Sequence, residues 1–474
     1  MDRSSKSLME SIISPIEVVE ECQIAPCCDS PESATKFSLP LTFFDIIWLK
    51  FNPSERVYFY QPTESSSSPE FFYRVILPKL KQSLSVTLCH FLPLAGRLTW
   101  PSHASKPSIH YVPNDTVSLT VAESDADFNR LSSNDIRDTI ESRPYVPELQ
   151  IADSTSPVIA LQITLFPDSG YSIGYSTHHA TLDGRSITLF MKAWAHICRE
   201  PESDLPQELT PSFDRTVVKD PEGLDMVYSN HWIEISKTLA PDTDPRSVKP
   251  FPGESITKSK LFRATFVLTG EDIKRLRDWV LSIETIVDQL RLSSFVLTYA
   301  YTLVCIVESM GEEKVSWVHF IFASDCRTRL DSHSIPKNYF GNCIYGYDGF
   351  VDAKALMDKN GVILMAKKIS ELVKEANCCG LEGAKEALEK WTSGKPKTLT
   401  IGIAGSPRFE LYEVDFGWGR PKKVEVISID KNRGIAMERS RDGDGGIEVG
   451  VVLEKHEMEV FASLFVNGLK ELHY

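Results

Sequence analysis

A strand, a turn with two histidines and a helix follow one another in the first half of the chain, and this order constrains the fold more than any other stretch. In residues 171–175 large apolar side chains alternate with small ones, which is typical of a β-strand. The apolar positions of residues 187–197 have the spacing of one helix face. His178, His179 and Asp183 lie between the two elements. The sequence therefore predicts that a histidine ends a strand, where its side chain can face a cleft.

His179 has the properties of a general base, because the unperturbed pKa of histidine suits proton transfer near neutral pH. Its spacing from Asp183 is weak evidence by itself, since about one such match is expected by chance. A histidine that is hydrogen-bonded in the core is an alternative, and an i, i+4 pair of metal ligands is another. Gly184 and the preceding strand argue against a helix here, and no further ligand cluster is evident. We therefore expect no bound metal.

Asp183 has two possible roles, both structural. It stands where the outgoing helix begins, and Asp is a favoured N-cap residue. Alternatively, it could pair with an arginine from elsewhere in the chain, with Arg327 and Arg329 as possible partners. Either role would hold His179 in place. His178 is expected to point to the opposite side of the strand and to be a buried structural residue.

The composition bounds the domain count and the partners. A length of 474 residues suits two domains or one large one. The net charge of −14 argues against a broad surface for nucleic acid or an anionic membrane. A phosphorylated ligand would therefore need a local basic pocket. We expect small-molecule substrates, no nucleic-acid or membrane partner, and a monomer.

The expected location is the cytosol. The first residues are not followed by the apolar core of a signal peptide, and the most apolar run, residues 295–307, is too short to span a bilayer. Ten cysteines are spread over the chain without a CxxC repeat. We therefore expect reduced thiols rather than a disulfide framework.

The chain divides into two parts of similar size. Residues 201–240 are rich in Pro, Asp, Glu and Ser, which is typical of a linker. The expected organisation is an N-terminal domain over residues 1–200, a crossover linker over 201–240, and a C-terminal domain over 241–474.

Four motifs together resemble those of the plant BAHD acyltransferases. They are HATLDG at 179–184, DFGWG at 415–419, LPLAGRL at 92–98 and DCRTR at 325–329. The resemblance covers nearly the whole chain. It implies an α/β fold of two chloramphenicol-acetyltransferase-like domains with mixed sheets, joined by the crossover linker. It also implies a channel between the domains, with the histidine near its middle, acyl-CoA entering from one face and the acceptor from the other.

The same resemblance assigns a structural role to the second motif, which the family places away from the histidine. Its glycines permit tight turns and its aromatic rings can pack. The motif consists of Asp415, Phe416, Gly417, Trp418 and Gly419.

Finer features resemble one branch of the family, the anthocyanin and phenolic glucoside malonyltransferases. These features are YFGNC at 339–343 and the sequence from Gly405 to Arg408, where Ser406 stands in place of a tryptophan found in many members. The branch implies malonyl transfer from malonyl-CoA, a co-substrate rather than a bound cofactor, to the sugar 6-hydroxyl of a flavonoid, anthocyanin or other phenolic glucoside. A hydroxycinnamoyl donor such as coumaroyl-CoA is one alternative. A non-catalytic binding protein on the same fold is an alternative of a different class.

The mechanism that this implies is direct acyl transfer with His179 as base and no acyl-enzyme. Ser406 and nearby backbone amides are candidates for stabilising the oxyanion. Lys258 and Lys260 could contact CoA phosphates, or be solvated surface lysines. The same alternatives hold for the basic group after the DFGWG motif, which consists of Arg420, Lys422 and Lys423.

Arg185 is the candidate for recognising the donor, because it lies two residues past Asp183. The free carboxylate of a malonyl group needs a cation when it leaves water, and the planar guanidinium of arginine binds both carboxylate oxygens. The alternative is an exposed residue in the first turn of the helix.

Overall fold

The computed structural model describes residues 16–27, 36–62, 68–251, 260–283, 290–329, 335–378, 381, 383–385, 397–431 and 433–471. In chain order the strands are β1 (Ile16–Ile24), β2 (Phe37–Pro40), β3 (Ser54–Tyr60), β4 (Arg97–Thr99), β5 (Ser108–Tyr111), β6 (Val117–Ser124), β7 (Arg137–Asp138), β8 (Thr155–Pro157), β9 (Ile159–Phe166), β10 (Gly170–Thr177), β11 (Leu261–Leu268), β12 (Trp317–Asp325), β13 (Ile344–Asp352), β14 (Thr398–Ala404), β15 (Lys423–Val426), β16 (Ile435–Arg439) and β17 (Ile447–Glu454).

The longer helices are α1 (Leu77–His90), α2 (Gly184–Arg199), α3 (Leu224–Leu239), α4 (Gly270–Ile283), α5 (Ser294–Met310), α6 (Gly361–Cys378) and α7 (Lys455–Glu471). Short α-helices span Phe43–Ile46, Pro69–Phe71, Phe128–Leu131 and Ala353–Leu356, and a π-helical turn spans Phe72–Ile76. Within the described ranges, no helix is both long and apolar enough to cross a membrane.

The strands form two large mixed sheets and one small antiparallel sheet. The first large sheet has the order β1-β6-β9-β10-β3-β15, in which β6 and β9 are parallel. The second has the order β13-β12-β14-β16-β17-β11-β7, in which β14 is parallel to both of its neighbours. The small sheet has the order β2-β5-β4-β8. This arrangement agrees with the mixed α/β sheets expected from the sequence.

Each large sheet receives a strand from the other part of the chain. Strand β15 pairs with β3 in the first sheet, with Lys423 opposite Phe59. Strand β7 pairs with β11 in the second sheet, with Arg137 opposite Arg263. The sheets are therefore tied together by hydrogen-bonded strands as well as by packing. The proposed domain limits at residues 200 and 241 stay a prediction.

The predicted linker contains a helix that the composition did not indicate. Helix α3 lies within residues 201–240, and its Trp232 donates a hydrogen bond from Nε1 to the carbonyl oxygen of Ile46 at 2.8 Å. Trp232 and Tyr228 are both buried in the core of the first sheet. The crossover is therefore packed against the first sheet's core.

The expectation of reduced thiols is wrong for Cys89, which is disulfide-bonded. Cys89 lies near the end of α1, one helical turn after Ser85, on the face that the N-terminal segment crosses. There the amide of Cys27 donates to the carbonyl oxygen of Ser85 at 3.0 Å, and Ser85 Oγ donates to that of Ala25 at 2.6 Å. The free cysteines of the described chain include Cys22, Cys27, Cys198, Cys305, Cys326 and Cys343.

Buried charges lie where the exchanged strands meet. Glu425 on β15 forms an ion pair with Arg137 on β7, and its Oε2 lies 3.7 Å from Nε of Arg263. All three side chains are at most 5% exposed. Burial by itself raises the pKa of Glu425, but Arg137, Arg263 and Lys423 outweigh it and hold the pKa at about 2. The exchanged strands thus share one charge cluster.

Glu425→Gln is expected to lower the free energy of unfolding by about 3–5 kcal/mol, because Arg137 and Arg263 would remain buried without this counter-ion. Denaturant unfolding followed by circular dichroism measures the change. Glu413→Gln is the control, since Glu413 pairs with Arg420 on the exposed surface, and we expect less than about 1 kcal/mol there. The low pKa of Glu425 also predicts stabilisation that is present above its ordinary value of 4.5 and lost as the pH falls towards 2. Equal losses in both variants would contradict this account.

Candidate active site

The turn after β10 carries the histidines at the edge of the first sheet. Strand β10 ends at Thr177, and the amide of His178 still donates to the carbonyl oxygen of Val158 at 3.1 Å. The chain then turns, with the amide of Thr181 donating to the carbonyl oxygen of His178 at 2.9 Å. Helix α2 begins at Gly184. The predicted strand, turn and helix are therefore present in this order.

His178 is a structural residue, as the alternating directions of strand side chains predicted. It is fully buried. Its Nδ1 accepts a hydrogen bond from the amide of Ala180 at 3.2 Å, and its Nε2 lies 2.8 Å from the carbonyl oxygen of Val248. Because Nδ1 is an acceptor, Nε2 carries the proton and donates it. Burial lowers the pKa of His178 to about 4, so the ring is neutral near neutral pH.

His179 is held by aromatic packing rather than by a carboxylate. Its ring stacks on Trp48 with 4.6 Å between centroids and 15° between planes, and Phe51 lies 6.2 Å away. Nδ1 is buried and has no hydrogen-bond partner among the described residues. Burial lowers the pKa of His179, opposed by its own backbone and by Asp183. The imidazole is therefore neutral near neutral pH and able to accept a proton.

Asp183 fills both of the roles considered for it. Its Oδ1 accepts a hydrogen bond from the amide of Ser186 at 2.9 Å, which makes it the N-cap of α2. The guanidinium of Arg327 also binds it at both oxygens, with Nη1 at 2.9 Å and Nη2 at 3.2 Å. The amide of Cys343 donates to Oδ2 at 3.0 Å. Burial alone raises the pKa of Asp183, but these partners lower it below its ordinary value.

Arg327 joins the Asp183 pair to the 339–343 loop. Its Nη2 donates to the carbonyl oxygens of Tyr339 and Gly341 at 3.1 and 3.2 Å. Its side chain is 1% exposed. A buried charge of this kind is tolerated when its donors find acceptors. The start of α2 is therefore fixed to two loops of the second half of the chain.

The 415–419 motif forms a tight turn near the other end of α2. Oδ1 of Asp415 accepts hydrogen bonds from the amides of Gly417 and Gly419 at 2.7 and 3.1 Å, and both glycines have positive φ. Phe416 is buried against Trp194 of α2 at 4.9 Å between ring centroids. Nη1 of Arg199, the last residue of α2, donates to the carbonyl oxygen of Asp415 at 2.7 Å. At a rise of about 1.5 Å per residue, the turn therefore lies roughly 20 Å from the start of α2. These contacts support the structural role expected for the motif.

Arg185 lies at the wall of a basic cavity of about 300 Å³. Its Nε donates to the carbonyl oxygen of Lys337 at 2.9 Å, and its Nη1 lies 3.5 Å from Asp325. The side chain is 40% exposed. The cavity is lined by Arg185, Asp325, Arg327, Thr328, Arg329, Lys337 and Arg408. Positive side chains outnumber the single acid in this lining, so the cavity suits an anionic ligand.

Ser406 lies in a turn that packs against the start of α2. The amide of Phe409 donates to the carbonyl oxygen of Ser406 at 3.0 Å, and Ser406 Oγ accepts from the amide of Arg408 at 3.3 Å. The ring of Phe409 lies so close to Gly184 that a Cβ there would be 2.6 Å from it. The structure thus brings Ser406, Arg408 and Arg185 to the same end of α2.

Of the two lysines before β11 that were predicted near CoA, the described one does not line this cavity. Lys260 pairs with Asp138 at 3.0 Å and is not among the residues that line it. Lys258 lies outside the described residues. The expectation for Lys423 is wrong, because it is buried and paired with Glu448 at 3.2 Å. Its neighbours Lys422 and Arg420 contact Asn129 and Glu413. Among the residues that the structure describes, no cluster of three or more potential ligands could hold a metal ion.

The model of the Transferase family matches residues 14–467 of the chain. The chain belongs to this family, the BAHD acyltransferases. It is an acyl-CoA-dependent acyltransferase, as the motifs had indicated.

Curated relatives match the acyltransferase over almost its full length. Phenolic glucoside malonyltransferase 1 of Arabidopsis thaliana is 42% identical over 472 residues, which cover 97% of this chain and 99% of the relative. Malonyl-CoA:anthocyanidin 5-O-glucoside-6''-O-malonyltransferase of the same plant is also 42% identical, over 98% and 100% of the two chains. Agmatine coumaroyltransferase of A. thaliana is 39% identical, over 96% and 99%.

The fold of the acyltransferase is shared with solved structures. Vinorine synthase matches with a TM-score of 0.68 at 21% identity, over 95% of this chain and 98% of that chain. The α/β fold with mixed sheets that the resemblance implied is therefore confirmed.

The sequence did not identify the residues that surround the histidine turn, among them Trp48, Asn342 and Asp45. Asn342 donates from Nδ2 to the carbonyl oxygen of His179 at 3.0 Å and to Asp45 at 3.1 Å. Asn342 belongs to the YFGNC stretch, which indicates the branch of the family but predicts no role for this residue. Asp45 follows an apolar run near the start of the core. Their side chains meet across 297 positions of the chain, and no sequence pattern indicates such a contact.

Asp183→Ala is expected to lower the free energy of unfolding by about 3–5 kcal/mol and to reduce turnover, because it removes the buried counter-ion of Arg327. Arg327 would keep only the half-exposed Asp325, whose Oδ1 lies 3.1 Å from its Nη1. Thermal and denaturant unfolding measure the first effect and product formation the second. Asp352→Ala is the matched control, since Asp352 caps the short helix Ala353–Leu356 from an exposed position. We expect about 1 kcal/mol there. Unchanged stability with lost activity in Asp183→Ala would instead indicate a direct chemical role.

Proposed function

We propose that this acyltransferase transfers the malonyl group of malonyl-CoA to the sugar 6-hydroxyl of a flavonoid, anthocyanin or other phenolic glucoside. The observation that carries the proposal is that the turn around Asp183 presents two groups, the neutral imidazole of His179 and, at the wall of the basic cavity, the guanidinium of Arg185. The identity of 42% to two malonyltransferases over nearly the full length supports the choice of donor and acceptor.

His179 acts as the general base. A sugar hydroxyl is a poor nucleophile until a base removes its proton. As the hydroxyl oxygen attacks the thioester carbonyl, the proton moves to the imidazole, whose Nε2 is the nitrogen not enclosed by the protein. The tetrahedral intermediate then collapses, the C–S bond breaks, and the proton passes to the thiolate of CoA. Both substrates meet at one histidine, so no acyl-enzyme is needed.

Asp183 holds the histidine turn but takes no part in proton transfer. Its two oxygens are occupied by Arg327 and by the amides of Ser186 and Cys343. Ser406 is the proposed contributor to the oxyanion site, supported by the packing of its turn on Gly184.

Arg185 is the proposed receptor for the malonyl carboxylate. Its guanidinium is partly exposed at the cavity wall, and Arg329, Lys337 and Arg408 add positive charge around it. Lys258 and Lys260 remain proposals for contacts with CoA phosphates. The side chain of Lys260 is 60% exposed and could reach a phosphate, although it already pairs with Asp138.

A hydroxycinnamoyl donor is the second candidate, favoured by the 39% identity to agmatine coumaroyltransferase. A non-catalytic binding protein is disfavoured by the intact site around His179. A single chain supplies His179 and the groups that hold it, which supports action as a monomer. The cytosolic location stays a prediction from the sequence.

Mass spectrometry of products from pooled phenolic glucosides tests the proposal. The enzyme receives malonyl-, acetyl- and coumaroyl-CoA at equal concentration. We expect malonyl glucosides to dominate. Dominant coumaroyl products would support a hydroxycinnamoyl donor instead of malonyl-CoA, and no product from any donor would contradict phenolic glucosides as the acceptors.

His179→Ala is expected to lower turnover by about 10²-fold or more while the protein stays folded, the usual scale for losing a general base. His103→Ala, at an exposed position, is the control. In the wild type, kcat/KM should fall at low pH, because a protonated imidazole cannot accept a proton. Burial lowers the pKa of His179, so this fall should have its midpoint below the ordinary 6.5. A folded His179→Ala variant with near-normal turnover would remove this residue from the mechanism.

Arg185→Ala is expected to reduce the use of malonyl-CoA far more than that of acetyl-CoA, which has no terminal carboxylate. Competition between the two donors measures the ratio directly. Arg185→Lys keeps the charge but not the planar fork, so it should retain part of the preference. An equal loss with both donors would show that Arg185 serves the structure or CoA binding instead.

A further inference from the structure

Asp45 makes a long-range contact that its local role does not require. It lies in the short helix Phe43–Ile46, where Oδ2 accepts hydrogen bonds from the amide and the hydroxyl of Thr42, both at 3.0 Å. These two bonds cap the helix. Oδ1 is directed elsewhere, to the amide of Asn342 at 2.7 Å and to its side-chain Nδ2 at 3.1 Å. The side chain is fully buried, so one of its two oxygens is committed to fixing Asn342.

Asn342 in turn holds the main chain of His179. Its Nδ2 donates to the carbonyl oxygen of His179 at 3.0 Å as well as to Asp45. Its Oδ1 is buried and has no hydrogen-bond partner among the described residues. Turning the amide over would place Oδ1 against the Asp45 carboxylate and the His179 carbonyl oxygen, which would repel it. The site therefore uses Asn342 as a donor.

The same N-terminal segment also holds the ring of His179. The amide of Trp48 donates to the carbonyl oxygen of Asp45 at 3.1 Å, so one turn of main chain carries both residues. Trp48 stacks on the imidazole at 4.6 Å. In a catalytic triad a carboxylate orients the histidine. Here Asp183 is occupied by Arg327 and main-chain amides, so stacking must orient the ring.

We propose that Asp45, Trp48 and Asn342 are the positioning residues of His179. Trp48 orients the plane of the imidazole ring. Asn342, which Asp45 holds in place, fixes the main-chain carbonyl of His179. The inference rests on the proposed role of His179 as the base. Since Asn342 comes from the second half of the chain, the position of the base depends on the contact between the two halves.

Asn342→Asp tests the main-chain contact. The replacement has the same shape but no side-chain donor, and it places a second carboxylate beside Asp45. We expect kcat to fall by about 10- to 100-fold, the scale for a misplaced catalytic group, with KM for both substrates within about threefold. Asn338→Asp is the matched control in the same loop, because Asn338 Nδ2 donates to the carbonyl oxygen of Thr210 at 2.6 Å, away from the histidine. Equal kcat in the two variants would overturn the proposal.

Trp48→Phe and Trp48→Leu test the stacking independently, should Asn342→Asp fail to fold. We expect a graded fall in kcat, with the leucine variant lower by about tenfold or more. Protonated imidazole quenches the fluorescence of a stacked indole. The fluorescence of Trp48 is the difference between the wild-type and Trp48→Phe signals. It should therefore change with pH at the same midpoint as kcat/KM. Turnover that is unchanged in Trp48→Leu, or different midpoints, would remove Trp48 from the proposal.

Asp45→Asn, alone and combined with Asn342→Asp, tests the remaining residue. Because Asp45 acts through Asn342, the double variant should lose no more kcat than the more affected single variant. Additive losses would exclude Asp45.

Failure of this inference is distinct from failure of the proposed function. An inactive His179→Gln with an active Asn342→Asp rejects the positioning alone, whereas an active His179→Gln rejects the base and the positioning together.

Discussion

The ion pair between Asp183 and Arg327 is the interaction on which the site depends. Removing two charges from water costs several kcal/mol for each ion, and further hydrogen bonds to both members of the pair offset that cost. Asp183 accepts from the amides of Ser186 and Cys343, and Arg327 donates to the carbonyl oxygen of Gly341. The bonds to Cys343 and Gly341 fix the start of α2 against the 339–343 loop, and the bond from Ser186 caps the helix itself. The histidine turn lies directly before that helix, so its position follows from the pair.

The same loop contacts His179 and Asp183 through two adjacent residues. Asn342 binds the carbonyl oxygen of His179, and Cys343 binds the carboxylate of Asp183. Both come from the second half of the chain, whereas the histidine turn comes from the first. The exchanged strands β7 and β15, with the buried charges of Arg137 and Glu425, hold the two halves in one arrangement. The position of His179, the proposed base, therefore depends on the interface between the halves.

The local elements of this fold could be predicted from the sequence because their signals are local. The alternation over residues 171–175 predicted β10, and the apolar spacing of residues 187–197 predicted α2, on which Ile187, Phe190 and Trp194 are buried. The N-cap role of Asp183 followed from its place before the helix. The choice of Arg327 over Arg329 as its partner did not, since both follow the same strand and only their directions in the folded chain distinguish them. Contacts such as that of Asp45 with Asn342 depend on tertiary geometry, and helix α3 was hidden by a composition typical of linkers.

A crystal structure with CoA and a phenolic glucoside bound together tests the central claim most directly. The account predicts that the glucose 6-hydroxyl lies within about 3.2 Å of Nε2 of His179, that the CoA sulfur approaches the same nitrogen, and that the imidazole remains stacked on Trp48. A glucoside bound with its hydroxyl groups away from His179, or a CoA sulfur on the Asp183 side of the turn, would contradict the assignment of His179 as the base.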